Sequence, residues 1–286
     1  MADPAPPLVP LVVVSTGLPG TIRPVMDLLG RMDETFTEWT PETQRRPLIY
    51  LLRHAQVLAG DRIEDAQWNH ETVFYPPTEG EVGTRRIAGF PSPSAHVGGD
   101  LDGVPLWQRC LEANWRGYCQ RLELRPAHRY YAEPASVWCP DALLHAQMPY
   151  RALFIVRDPR SELAEQWMAG RRRGVLPAVL THVDTPLSFA ERQATHAVRT
   201  SLLRLAELQP GATQLCIRYE DLIGQTAEVW ARLRSWLQLE SRPAPPPPGT
   251  GDEWPANRWR QCLPDSVSAL YDQRMRGEME AHGYAI

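Results

Sequence analysis

The chain of 286 residues contains no lysine, so all 30 of its basic residues are arginine. No side-chain amine is available as a general base, a Schiff-base former or a phosphate clamp, and any anion held by charge must be met by guanidinium groups. Cysteine is sparse as well. Cys110, Cys119, Cys139, Cys216 and Cys262 are scattered without the paired spacing of a metal site, and no metal is expected. Reduced, mostly buried thiols fit that scatter better than disulfides. No apolar run reaches the ~18 residues that would span a bilayer. The stretch Met1 to Pro7 has no charged segment ahead of an apolar one, so no secretory leader is expected there. A net charge of −4 gives no general attraction to nucleic acid. These absences lead to an expectation of a cytoplasmic protein without nucleic-acid or membrane partners. The length suits one large domain or two small ones and leaves ample material for a core.

What the sequence does contain begins with Leu11-Val12-Val13-Val14, a run of aliphatic residues that reads as a short buried strand. Gly17, Pro19 and Gly20 break it, and Ile22, Val25, Met26 and Leu29 then recur at helical spacing, with Pro24 in the expected first turn. Strand, glycine-bearing loop and helix together form a cradle for an anion, because the free amides and the positive end of the helix dipole face the same point. Arg23 adds a cation to that turn. No Gly-Lys-Ser/Thr follows, so this is not a Walker A loop, and an ordinary α/β turn accounts for the pattern equally well.

Further along, Pro47 to Leu52 reads as a second strand ending at Arg53-His54, and polar groups beyond a strand's carboxyl end are where parallel sheets place ligands. Gln56 to His70 is partly helical in pattern. Residues 74–102, rich in Pro, Gly and Ser, read as a long surface loop or lid. Leu106 to Leu122 is helical, Tyr130 to Pro134 is a short strand or edge, and Asp141 to Gln147 is a short helix. Ala152 to Val156 is a buried strand with Arg157 at its end, and Pro159 opens a helix running to Arg171-Arg172-Arg173. Two strand-to-helix turns carrying arginine favour a ligand with two phosphates. A local Arg157–Asp158 ion pair is the plainer alternative, and for the three arginines it is a solvated helix end. Leu187 to Leu208 is an amphipathic helix, Gln214 to Leu222 a strand with a polar end, and Ala227 to Leu239 another helix. Residues 243–250 form a proline-rich linker to a tail with a last helix from Pro264 to about Ala281. Strands alternating with helices imply a parallel, doubly wound sheet.

Four segments, in order and over nearly the whole chain, resemble the sulfotransferases that use 3′-phosphoadenylyl sulfate (PAPS), including their bacterial branch. Gly17-Leu18-Pro19-Gly20-Thr21 is similar to the family's loop for the 5′-phosphosulfate. Phe154 to Arg160 resembles its strand ending in Arg-Asn/Asp-Pro-Arg, which holds the 3′-phosphate. Ile217 to Leu222 resembles its Arg-Tyr-Glu-Asp-Leu segment. Asn257-Arg258-Trp259-Arg260, with the closing His282-Gly283-Tyr284, resembles its last donor-binding segment. The resemblance implies a single domain over 1–286, P-loop-like, with three α/β/α layers around a central parallel sheet. It also implies transfer of a sulfuryl group from PAPS, as co-substrate and without a metal, to a hydroxyl or amine of a small molecule or peptide.

By the same resemblance, Gly17, Pro19, Gly20, Thr21, Ile22 and Arg23 would meet the 5′ end of the donor. Arg157 and Ser161 would meet its 3′-phosphate, and Arg258, Trp259 and Arg260 its adenine or phosphate. The acceptor needs a base. His54 is the first candidate, with Glu71 and His70 behind it, and a buried, hydrogen-bonded histidine is the bland alternative for His54. Two departures stand out: Gly20 replaces the family's Arg or Lys, and Glu165 replaces a serine eight residues beyond Arg157. A protein of this fold that has lost donor chemistry is therefore the second reading. A histidine-phosphatase reading of Arg53-His54 lacks the following glycine, which is Ala55.

Overall fold

A computed structural model describes residues 7–15, 19–40, 43, 45–58, 106–135, 139–173, 213–224, 227–239 and 259–284. Gly17, Glu71, His70, Arg258, the expected 74–102 loop, the expected 187–208 helix and the expected 243–250 linker lie outside these residues. The strands are β1 (Val9–Ser15), β2 (Thr35–Phe36), β3 (Tyr130–Ala135), β4 (Arg151–Val156) and β5 (Gln214–Arg218). They form one parallel sheet in the order β2-β3-β1-β4-β5, with flanking helices, in agreement with the expected α/β class. Pairing of β1 with β3 runs in register from Val9–Tyr130 to Val14–Ala135. The two-residue strand β2, absent from the sequence reading, joins β3 through Thr35–Tyr130 and Phe36–Tyr131. Strand β3 therefore lies inside the sheet rather than at its edge, despite Pro134. By internal packing the chain divides into two interleaved units, Met1–Val14 with Met26–Leu153 and Ser241–Pro243, and Ser15–Val25 with Phe154–Glu240 and Ala244–Ile286.

In the first unit, helices α2 (Pro47–Leu58), α3 (Leu106–Cys119) and α4 (Cys139–His145) accompany β2 and β3. Helix α2 corrects the expectation of a strand over 47–52. Leu48, Ile49, Leu52 and Ala55 are buried and Tyr50 and His54 exposed, which is the periodicity of a half-buried helix. A short apolar run suits either element, and the choice is made by a distant residue. Glu133 on β3 accepts the Leu48 amide at 2.9 Å on Oε2 and the Ile49 amide at 3.1 Å on Oε1. A carboxyl group accepting the first free amides is a strong helix start, and Pro47 occupies the position where a helix needs no donor. Burial pushes the Glu133 carboxyl up to about 8, while the two amides and the charge of Arg46 act in the opposite direction.

The core of this unit is aromatic. Trp115 lies edge-on to Tyr131 with centroids 5.3 Å apart and stacks on Tyr118 at 5.7 Å. The indole N–H of Trp115 donates to the Leu8 carbonyl at 2.8 Å, so the ring is buried without an orphaned polar atom. The Tyr118 hydroxyl donates to Glu38, and burial and then that acceptor raise its pKa above the ordinary phenol range. All five cysteines are unpaired thiols, Cys119 and Cys139 being buried.

Candidate functional site

The second unit holds most of the sequence-derived site. Its helices are α1 (Pro19–Leu29, which starts in this unit), α5 (Pro159–Arg173), α6 (Tyr219–Ile223), α7 (Ala227–Leu237), α8 (Trp259–Cys262) and α9 (Asp265–Ala281). Helix α1 begins at Pro19, so Pro24 lies inside it rather than in its first turn. The reading of Gln214 to Leu222 as one strand is likewise corrected. The strand stops at Arg218, and Tyr219 begins a short helix with Glu220 and Asp221 in its first turn, where acidic groups complement the dipole.

Strand β4 delivers Arg157 and Asp158 directly into the start of α5. Asp158 sits at the position before Pro159 and accepts the Arg160 amide at 2.9 Å, which caps the helix. Its two oxygens also take the Arg160 guanidinium as a fork, from Nε at 3.0 Å and from the terminal nitrogen at 2.9 Å. Asp272 on α9 stands 3.7 Å from the same guanidinium, which lies 4.2 Å from the centre of the Trp259 ring. Arg260, exposed, lies over that ring too, at 4.9 Å. The Arg157–Asp158 ion pair weighed from sequence is not the one formed, because Asp158 spends its carboxylate on Arg160.

Arg157, 3% exposed, points elsewhere. Its guanidinium donates to Glu165 Oε2 at 2.5 Å and to the Thr21 hydroxyl at 3.4 Å, and it lies 4.7 Å from the centre of the Tyr219 ring. Thr21 is fully buried in the first turn of α1, so the start of α1 and the end of β4 meet at this cation. Ser161 is buried in the first turn of α5, Ile22 is half-buried, and Arg23 is exposed. Pro19 and Gly20 are the first residues of α1. His54 belongs to the first unit. It is exposed on α2, not poised past the end of a strand, because Pro47 to Leu58 is helical.

A latch behind Arg157 escaped the sequence reading. Glu220 accepts the Asp158 amide at 3.0 Å on one oxygen and the Tyr284 hydroxyl at 3.0 Å on the other. That hydroxyl also lies 3.1 Å from the Val156 carbonyl. Burial, then the charge of Glu220, raises the pKa of Tyr284 beyond the usual range. Gly283 precedes it at φ +73, where its carbonyl accepts Arg218 at 3.1 Å and an added Cβ would meet that guanidinium at 3.3 Å. The Arg-Tyr-Glu-Asp run and the final Gly-Tyr carried the signal, but nothing local says that they bind each other.

Chemically, this region offers a buried guanidinium between the end of β4 and the first turn of α1, and it suits an anionic group. Among the described residues, no helix is long and apolar enough to cross a membrane. Neither a family model nor a curated protein matches the sequence. Among solved structures the chain is similar to the sulfotransferase domain from the curacin biosynthetic pathway, at 14% identity over 98% of this chain and 100% of that one, with TM-score 0.45. It is similar to a sulfotransferase from Alicyclobacillus acidocaldarius at 11% identity, over 99% and 98% of the two chains, with TM-score 0.48. A mouse sulfotransferase complexed with PAP is similar at 12% identity, over 97% and 89%, with TM-score 0.47.

Proposed function

We propose that the protein is a sulfotransferase that moves a sulfuryl group from PAPS to a hydroxyl or amine of a small molecule or peptide. The observation that carries this reading is Arg157, buried at the end of β4 and within 3.4 Å of Thr21 in the first turn of α1. Its environment suits a nucleotide phosphate, and the start of α1, with Pro19, Gly20, Thr21, Ile22 and Arg23, suits the charge at the other end of the donor. Ser161, Arg258, Trp259 and Arg260 complete the proposed nucleotide contacts. PAPS supplies the activated sulfuryl group. An acceptor oxygen or nitrogen forms the new bond to sulfur as the bond from sulfur to the donor's bridging oxygen breaks, and the acceptor's proton passes to a base. Cations near the leaving phosphate stabilise the charge it gains. His54 and Glu71 are proposed for the base.

The test is isothermal titration with 3′-phosphoadenosine 5′-phosphate, the desulfated donor, against the unaltered chain and Arg157→Ala. Micromolar binding that Arg157→Ala removes is the expected result. Absence of binding at millimolar nucleotide would sink the transferase reading. It would favour a binding module on the same scaffold, a second reading suggested by the carboxylates already bound to Arg157 and Arg160.

A further inference from the structure

From the pairing of Arg157 with Glu165 we infer that Glu165 is a tethered competitor for the nucleotide's phosphate, a specificity-determining residue that weakens recognition of the 3′-phosphate. This rests on the donor site proposed above. Arg157 is the buried member of the pair, at 3% side-chain exposure, and Glu165 the accessible one, at 32%. The cation is held from several sides, by the Thr21 hydroxyl, the Tyr219 ring and the end of β4. Glu165 sits on the second turn of α5 and is half-exposed. When an anion arrives, the guanidinium stays and the carboxylate swings out.

A phosphate at Arg157 therefore has to displace a carboxylate 2.5 Å from the guanidinium, and that carboxylate has a high effective concentration because the chain delivers it. It must also tolerate the displaced charge nearby, since like charges at short range repel. A nucleotide whose phosphates all lie elsewhere meets neither obstacle. Glu165 thus lowers the advantage of a 3′-phosphorylated nucleotide over one lacking that phosphate.

The experiment compares 3′-phosphoadenosine 5′-phosphate with adenosine 5′-monophosphate by titration calorimetry on the unaltered chain, Glu165→Gln and Glu165→Ser. Glu165→Gln keeps the volume and one acceptor oxygen, so it guards against misfolding of the serine variant, and circular dichroism checks both. The expected result is at least a tenfold gain for the bisphosphate in either variant, with the monophosphate changed less than threefold. Equal gains for both nucleotides would assign the effect to general charge and overturn the inference. So would an unchanged or weaker bisphosphate affinity, although the donor-site reading would survive it. Binding by neither nucleotide to any of the three proteins removes the donor site and the inference together. Binding of the bisphosphate only after Glu165 is changed supports the competitor while removing the transferase reading of the natural chain.

Discussion

Glu133 in the first unit gives its carboxylate to two backbone amides, whereas Glu165 in the second gives its carboxylate to a side-chain guanidinium. Both acids satisfy buried donors, but the consequences of letting go differ. If Glu133 turns away, the amides of Leu48 and Ile49 lose their carboxyl acceptor in the interior. If Glu165 turns away, its own charge reaches water and Arg157 becomes open to another anion. A carboxylate bound to backbone fixes an element, and a carboxylate bound to a guanidinium at the surface of a site is exchangeable. Asp158 shows that pairing with arginine alone does not make the difference. Its side chain is 9% exposed, it holds Arg160 as a fork, and it caps α5, so it belongs with Glu133.

This contrast is broken most forcefully at Asp158. Asp158→Ala removes the forked carboxylate from a buried guanidinium and is expected to lower unfolding free energy by about 3–5 kcal/mol, read from urea denaturation. A loss under about 1 kcal/mol would mean that Arg160 is satisfied without the fork. Next comes Glu133→Gln, which sets an amide N–H₂ against a backbone donor and is expected to cost about 1–3 kcal/mol. Its pH behaviour is the sharper readout. With the Glu133 carboxyl raised to about 8 in the fold, the folded chain keeps a proton that the unfolded chain releases at ordinary carboxyl pKa. This contribution to stability is full below that range and falls as pH rises toward 8. The glutamine variant should flatten the fall, and an undiminished slope would place it on another group.

Tyr284→Phe removes the hydroxyl shared by Glu220 and Val156 and should cost about 1–2 kcal/mol, measured as a lower thermal midpoint. An unchanged midpoint would dismiss the latch as a stabilising element. The smallest expected effect is on the exchangeable side. Glu165→Gln should change stability by about 1 kcal/mol or less, since the pair is partly open to solvent and the glutamine oxygen still accepts from Arg157. A loss as large as that at Asp158 would show Glu165 to be structural and erase the distinction.

The parallel sheet was legible because its central strands are continuous apolar runs, and β1 and β4 are buried as Val12 and Ile155 suggest. The second helix was not. Leu48 to Leu52 carries no local mark that separates helix from strand, and the deciding contact comes from Glu133, 85 positions beyond Leu48. The same limit applies to Tyr219, where a β-like run bends into α6, and to β2, too short to show a period. At the site, Arg157 stood out as the last residue of a buried run. Glu165 stood out only as a replacement for a serine, because spacing on a helix gives no direction for a side chain approaching from the previous strand.

The order β3-β1-β4 has a consequence for synthesis. Val9–Ser15, the earliest of the described strands, finds both hydrogen-bonding neighbours only after β3 and β4 have been built, on the order of ten seconds later at ordinary elongation rates. Meanwhile its run of valines presents two unpaired edges to other nascent chains. Yield in a heterologous host should therefore depend more on holdase chaperones and growth temperature than the stability of the finished sheet would indicate.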